Sequence, residues 1–267
     1  MMPLEEMCRF VIEVAIKTGN YIRERQKLLT TNDIEYKGET DLVTAVDKKA
    51  EEILVHSLSI ILPEAGYTTE EKTVSQEAKE FMWVIDPIDG TTNFVHGIPL
   101  YSISIALKQN NETILGLVYE INREECFYAV KNNGAFLNGV PISVSKNTEL
   151  KNCVLATGFP PAKFELLEQY LQSMRALLPE CRTIRRMGSA AVDLAYVACG
   201  RFDGFFEYGL NEWDIAAGAF IVQEAGGSIS DFKGNKSGYN ETREIIATNA
   251  KIDGALTSII KNSFYAN

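Results

Sequence analysis

The sequence predicts an α+β half followed by an α/β half, residues 1–145 and 146–267, and three observations carry that division. Two amphipathic stretches precede any strand. A period-two apolar run punctuated by hairpin turns fills residues 101–144. Beyond it, short apolar strands alternate with helices, as in a layered α/β unit. No repeat, low-complexity tract or flexible linker interrupts the chain, so the halves are expected to join tightly enough to count as one domain.

In order, residues 4–28 read as a helix, with Phe10, Val11, Val14, Ala15 and Ile22 on its apolar face. Thr31 to Thr40 reads as a polar loop containing Lys37. A second helix is expected from Thr44, where Thr44 and Asp47 have capping-box spacing, and Pro63 ends it. Ala50, Ile53, Leu54, Leu58 and Ile61 form its apolar face. Strands are expected near 102–107, Ile114–Tyr119 and Cys126–Val130, with turns at Asn132-Asn133-Gly134 and Asn138-Gly139. In the second half the expected strands are Val154–Thr157, Phe202–Phe206, Gly227–Ser230 and Ile245–Thr248. The expected helices are Glu165–Leu178, Ala190–Cys199 and Ile215–Ala225.

A formal net charge of -10 argues against a general nucleic-acid or membrane-surface binder. An anionic substrate would therefore need bound cations or a local basic patch. Five widely spaced cysteines without a C-x-x-C pair disfavour zinc ribbons and thiol redox chemistry, and reduced thiols fit a cytoplasm. The acidic N-terminus, Met1 to Glu6, is unlike a signal peptide.

The central motif is Trp83-Val84-Ile85-Asp86-Pro87-Ile88-Asp89-Gly90-Thr91-Thr92. Trp83 to Ile85 read as the end of a buried strand. Asp86 and Asp89 follow on a turn stiffened by Pro87, and Gly90 permits a sharp bend. Two hard carboxylates, the Ile88 carbonyl and the donors of Thr91 and Thr92 suit Mg²⁺ with the phosphate it neutralises. Taken alone, the same residues also read as an ordinary turn.

The second motif is Glu207-Tyr208-Gly209-Leu210-Asn211-Glu212-Trp213-Asp214-Ile215-Ala216-Ala217-Gly218. Glu207 emerges from a buried strand and Asp214 opens a helix, where it could be an N-cap or could share a cation with the acidic turn. The small residues after it imply close packing at the helix start.

Together these segments carry a family resemblance. Asp41-Leu42-Val43-Thr44-Ala45-Val46-Asp47, Glu70-Glu71, Trp83 through Gly97, Gly188-Ser189-Ala190-Ala191 and Trp213 through Gly227 resemble the inositol monophosphatases, bacterial members in particular. These belong to the lithium-sensitive, Mg²⁺-dependent phosphatases. The resemblance implies an αβαβα sandwich, a homodimer, and hydrolysis of myo-inositol monophosphate with two or three Mg²⁺ ions per active site. It assigns Glu70, Asp86 and the Ile88 carbonyl to a first metal, and Asp86, Asp89 and Asp214 to a second. Glu70 with Thr91 would orient and deprotonate the attacking water. Gly90 and Thr91 would hold the phosphate, and Asp89, Ala190 and Glu207 would face the substrate hydroxyls. Asp47 would support Thr91, and Lys37 would lie near an outer metal.

One departure stands out. The family commonly has glycine before the paired glutamates, and here Thr69 takes that place. The resemblance fixes the chemistry better than the leaving group. Fructose-1,6-bisphosphatase, histidinol-phosphatase and nucleotide 3′-phosphatase share related scaffolds, and a non-catalytic regulatory binding protein is a reading of another class. His56 and His96 lack a matched partner for nucleophilic catalysis. Arg182, Arg185 and Arg186 read as a solvated face or as a basic patch near the site.

Overall fold

The side chains of Trp83, Ile85, Ile103, Ile105 and Leu107 pack into one core, and those of Val84, Ala106 and Val118 into another. The strands that carry them are therefore covered on both faces. The computed structural model describes residues 2–29, 34–36, 42–159 and 164–265.

The described strands are β1 Ile34–Tyr36, β2 Leu42–Thr44, β3 Gly66–Thr69, β4 Phe81–Asp89, β5 Ser102–Gln109, β6 Glu112–Glu120 and β7 Glu125–Val130, then β8 Ala135–Leu137, β9 Val140–Ile142, β10 Val154–Thr157, β11 Thr183–Arg185, β12 Gly204–Tyr208, β13 Ser228–Ser230 and β14 Glu244–Thr248. The helices are α1 Leu4–Gln26, α2 Ala45–Ile61, α3 Thr91–Val95, α4 Leu167–Leu177, α5 Ala190–Ala198, α6 Glu212–Glu224, α7 Tyr239–Thr242 and α8 Asp253–Tyr265. Strands β3 to β9 form a seven-stranded sheet in sequence order, a five-stranded sheet runs β11-β10-β12-β14-β13, and β1 and β2 form a separate two-stranded sheet.

Three apolar cores alternate with the two sheets. Helices α1 and α2 cover the outer face of the seven-stranded sheet. Helices α5 and α6 fill the space between the sheets, and α4 and α8 cover the outer face of the five-stranded sheet. The layers are αβαβα, as the resemblance implied. Close approach in the middle layer requires small residues, because a side chain at Gly218 would meet Leu194 Cβ at 2.6 Å.

Several boundaries differ from the sequence reading. The buried seam of α1 is Met7, Cys8, Val11, Ala15, Thr18, Gly19 and Ile22. Phe10 lies off that seam and is exposed. Residues 34–36 pair with 42–44 as a short ribbon where a loop was expected, and Lys37 and Asp41 lie outside the described residues. Strand β4 does not stop at Ile85 but continues through Pro87 to Asp89. Among the described residues no helix is long and apolar enough to cross a membrane. The five cysteines are free thiols, all buried except the half-buried Cys199.

Candidate active site

Strand β4 reaches Asp89 by way of an irregularity. Asp86 pairs with Ser104 and Asp89 with Ser102, so three steps on β4 face two on β5. In a regular strand residues three apart point to opposite faces; one extra residue brings both carboxylates to one side. Pro87, which has no N–H to give a ladder, sits at this bulge. Asp86 Oδ1 accepts from the Ile88 N–H at 2.9 Å and closes the local turn. Gly90 then adopts φ 99°, and a side chain there would press on the Gly188 carbonyl at 3.0 Å. The glycine lets the 88–91 turn lie against the 188–191 segment.

Glu70 arrives from the neighbouring strand. Thr69 pairs with Ile85 in parallel register, and the Glu70 N–H donates to the Ile85 carbonyl at 3.3 Å. Glu70 therefore emerges beside Asp86. Its carboxyl raises the proton affinity of Asp86.

Asp47 serves two partners. One oxygen accepts from the Thr44 N–H at 2.9 Å and the Thr44 hydroxyl at 2.5 Å, the expected capping box. The other accepts from the Thr91 hydroxyl at 3.2 Å. Cap and support for Thr91 are one residue's two oxygens. Thr91 Oγ1 also lies 3.0 Å from the Ile88 carbonyl.

Asp214 is not the N-cap of its helix. Asn211 holds that place, Asp214 is the third helical residue, and its Oδ2 accepts from the Asn211 N–H at 2.6 Å. Ser189 caps α5, accepting from the Val192 N–H at 3.3 Å. Its hydroxyl donates to Asp89 Oδ2 at 2.6 Å.

Glu70, Asp86, Ile88, Asp89, Gly90, Thr91, Ala190, Glu207 and Asp214 all line one cleft of about 350 Å³. Asp47 is fully buried behind it. Both histidines are exposed and neither lines the cleft. Of the arginine cluster, Arg186 lines the cleft and stacks over the Phe159 ring at 5.5 Å. Arg182 and Arg185 bond the Asn152 carbonyl and the Thr183 hydroxyl on exposed surface.

Besides Phe159, three lining residues escaped the sequence reading. Gly158 makes room for Glu207, whose carboxylate would lie 2.1 Å from a side chain there. Arg243 donates to the Gly209 and Leu210 carbonyls and so holds the segment leading to Asp214. Asp193 lies one turn into α5, buried, and its Oδ1 has no hydrogen-bond partner.

Gathering these acids raises their proton affinity. Burial pushes Asp86 well above the ordinary range, and Glu70, Asp89 and Asp214 add to the shift. Asp89 rises only to about 6, because Ser189 and the Ala191 and Ala190 N–H groups oppose burial. Burial, then Asp89, pushes Asp214 to about 8. Glu207 also rises to about 8, by burial and Asp89, with Arg186 opposing.

The donor set fits a hard divalent cation. It is all oxygen, from four carboxylates and the Ile88 carbonyl, and the mutual raising of the acids' proton affinities is what a bound cation would offset. Among the described residues no three acids converge at full ligand spacing. Asp86, Asp89 and Asp214 each have one oxygen engaged by a backbone N–H.

Residues 3–264 match the inositol monophosphatase family. The Nus factor SuhB of Escherichia coli is 38% identical over 260 residues, 97% of either chain. That of Pasteurella multocida is 41% identical over 254 residues, 93% of either chain. Among solved structures, the extragenic suppressor protein suhB of Bartonella henselae superimposes with a TM-score of 0.91 at 37% identity, covering 96% of this chain and 98% of its own. The Thermotoga maritima IMPase gives 0.88 at 34%, covering 97% and 98%.

Proposed function

This chain belongs to the inositol monophosphatase family, and from that premise we propose that it is a Mg²⁺-dependent phosphomonoester hydrolase acting on a small phosphorylated polyol, myo-inositol 1-phosphate first among them. The observation that carries the reading is a single cleft lined by two chemically distinct sets of side chains. Glu70, Asp86, Asp89 and Asp214 supply oxygen ligands, and Glu207, Asp193 and Arg186 supply further polar groups.

On this reading Glu70, Asp86 and the Ile88 carbonyl would hold one Mg²⁺, and Asp86, Asp89 and Asp214 would hold a second. When bound, the ions neutralise the phosphate and the negative charge that develops as the ester breaks. The chain's own residues handle the water. Asp47 takes the Thr91 hydroxyl proton in a hydrogen bond, which leaves the Thr91 oxygen able to accept one from the water. Glu70 takes the water's proton as its oxygen bonds to phosphorus. The phosphorus–oxygen bond to the alcohol breaks, the leaving oxygen takes a proton from solvent water to give the free polyol, and Glu70 returns its proton to solvent. Backbone N–H groups of Gly90 and Thr91 hold the phosphate. Glu207 accepts hydrogen bonds from ring hydroxyls beside Asp89 and Ala190. We place this activity in the cytoplasm and assign it to a homodimer.

The test is phosphate release with Mg²⁺ from myo-inositol 1-phosphate, fructose 1,6-bisphosphate, histidinol phosphate, a nucleotide 3′-phosphate and a simple aryl phosphate. Preference for the inositol ester supports the reading, and preference for another moves the substrate. A second reading has one observation in its favour. Relatives matching 93% to 97% of this chain are named Nus factors, and on that reading this chain binds a partner. No turnover of any ester in the panel would favour it.

A further inference from the structure

Glu51 is fully buried on α2, one turn after Asp47, with its carboxylate pointed out of the helix toward the Glu70 loop. Its Oε1 accepts from the Thr69 hydroxyl at 2.8 Å, the Thr73 N–H at 2.7 Å and the Thr73 hydroxyl at 2.8 Å. Its Oε2 accepts from the Glu71 N–H at 2.7 Å. These four bonds bracket Glu70 on both sides. The loop also carries strain of its own, because Lys72 adopts φ 54° without being a glycine.

Thr69, which replaces the family's usual glycine, is part of this device. Its hydroxyl donates to Glu51 and accepts from Gln76 Nε2 at 3.3 Å, while its N–H donates to Gln76 Oε1 at 2.9 Å. The side chain that removes a glycine's freedom supplies an anchor.

We propose that Glu51 is the positioning residue of the Glu70 loop, with the Thr69 hydroxyl as its partner, so that α2 fixes the places of Glu70 and Thr91 together. Asp47 and Glu51 are four residues apart, about 6 Å along one helix face. The first holds Thr91 and the second brackets Glu70. The two groups assigned to the water are thereby set by adjacent turns of one rigid element. A carboxylate suits the task because it only accepts, and four donors converge on it. An amide would turn its NH₂ toward one of the two backbone N–H groups. Glu71 or Thr73 would then lose its acceptor.

This inference rests on the reading of Glu70 as metal ligand and base, and its test separates the two. Full-length wild type is compared with Glu51→Gln, Thr69→Val and Thr69→Ser, with Glu52→Gln as an exposed control on the same helix. Amide exchange at 70–73 is followed without metal, and Mg²⁺ binding is followed by calorimetry without substrate. In Glu51→Gln, exchange at 70–73 is expected to accelerate while α1 and α8 stay as in wild type. Mg²⁺ binding is expected to weaken by about 10–100-fold, as for other outer partners of metal ligands. Thr69→Val moves both readouts the same way by less, and Thr69→Ser restores them. Wild-type exchange and Mg²⁺ affinity in both Glu51→Gln and Thr69→Val would overturn the proposal, and so would acceleration spread evenly over the chain. If Glu51→Gln does not fold, the near-isosteric Thr69→Val decides. A wild type that binds no Mg²⁺ sinks the reading of Glu70, while exchange at 70–73 still decides whether Glu51 holds the loop.

Discussion

Asp89 Oδ2 accepts from the Ala191 N–H at 2.7 Å, tying the acidic turn at the end of β4 to the first turn of α5. The same oxygen accepts from the Ser189 hydroxyl, so the residue that caps α5 also orients Asp89. Ser189→Ala should lower stability by about 1 kcal/mol, the usual cost of a lost N-cap. It should also raise the Mg²⁺ requirement, because Asp89 loses a partner. Thermal unfolding and a Mg²⁺ titration of activity measure the two effects. A stability loss with unchanged Mg²⁺ dependence would leave Ser189 as a cap alone.

Glu70→Gln should fold normally and reduce turnover by roughly 10²–10⁴, the range for a lost general base. Glu70 is half-buried at a strand end, outside the apolar cores. The assay is kcat at saturating Mg²⁺. Wild-type turnover would remove Glu70 from the mechanism.

Glu207→Gln should change substrate preference more than metal binding, since Glu207 lies against Gly158 on the strand face it shares with Phe205. Rates with myo-inositol 1-phosphate and an aryl phosphate are compared. Equal losses on both would deny it a role in specificity.

Asp214→Asn separates helix capping from metal binding. An amide keeps one oxygen for the Asn211 N–H, so metal-free stability should fall little. A lost Mg²⁺ ligand should instead lower kcat and shift the Mg²⁺ titration upward. Unaltered kcat and Mg²⁺ dependence would leave Asp214 only the capping box.

The raised proton affinities predict how metal-free protein responds to pH. Glu207 moves from 4.5 to about 8, and Asp214 from 3.8 to about 8. Across that window the native state binds more protons than the unfolded chain, so stability falls as pH rises. The melting temperature of metal-free protein should drop between about pH 5 and pH 8.5, and saturating Mg²⁺ should flatten the drop. A metal-free melting temperature that rises over this range contradicts the assignment.

The main strands and helices and the acidic motifs were legible in the sequence because each rests on local pattern, whereas the αβαβα layering came with the family resemblance. Period-two strands, Asn-Gly turns and the Thr44–Asp47 spacing each need only a few neighbouring residues. What was missed depends on pairing across the fold. Pro87 reads as a strand end, yet a bulge against Ser102 and Ser104 absorbs it and turns both aspartates to one side. Asn211 and Asp214 sit at capping-box spacing, and the sequence alone did not show which one begins the helix. Asp193 and Glu51 sit on helical faces that otherwise bury apolar side chains, with partners or neighbours far away in sequence. Arg243 reaches the cleft from 29 residues beyond Asp214, on a left-handed turn that nothing in its local sequence announces.

The central claim is that the acidic cleft hydrolyses a phosphate ester only when Mg²⁺ fills it. The most direct measurement is the initial rate of phosphate release from myo-inositol 1-phosphate as Mg²⁺ is raised from zero. The account predicts no release in EDTA, a saturable rise with Mg²⁺, and inhibition by Li⁺. Full release in metal-free buffer, or none at any Mg²⁺ concentration, would contradict it.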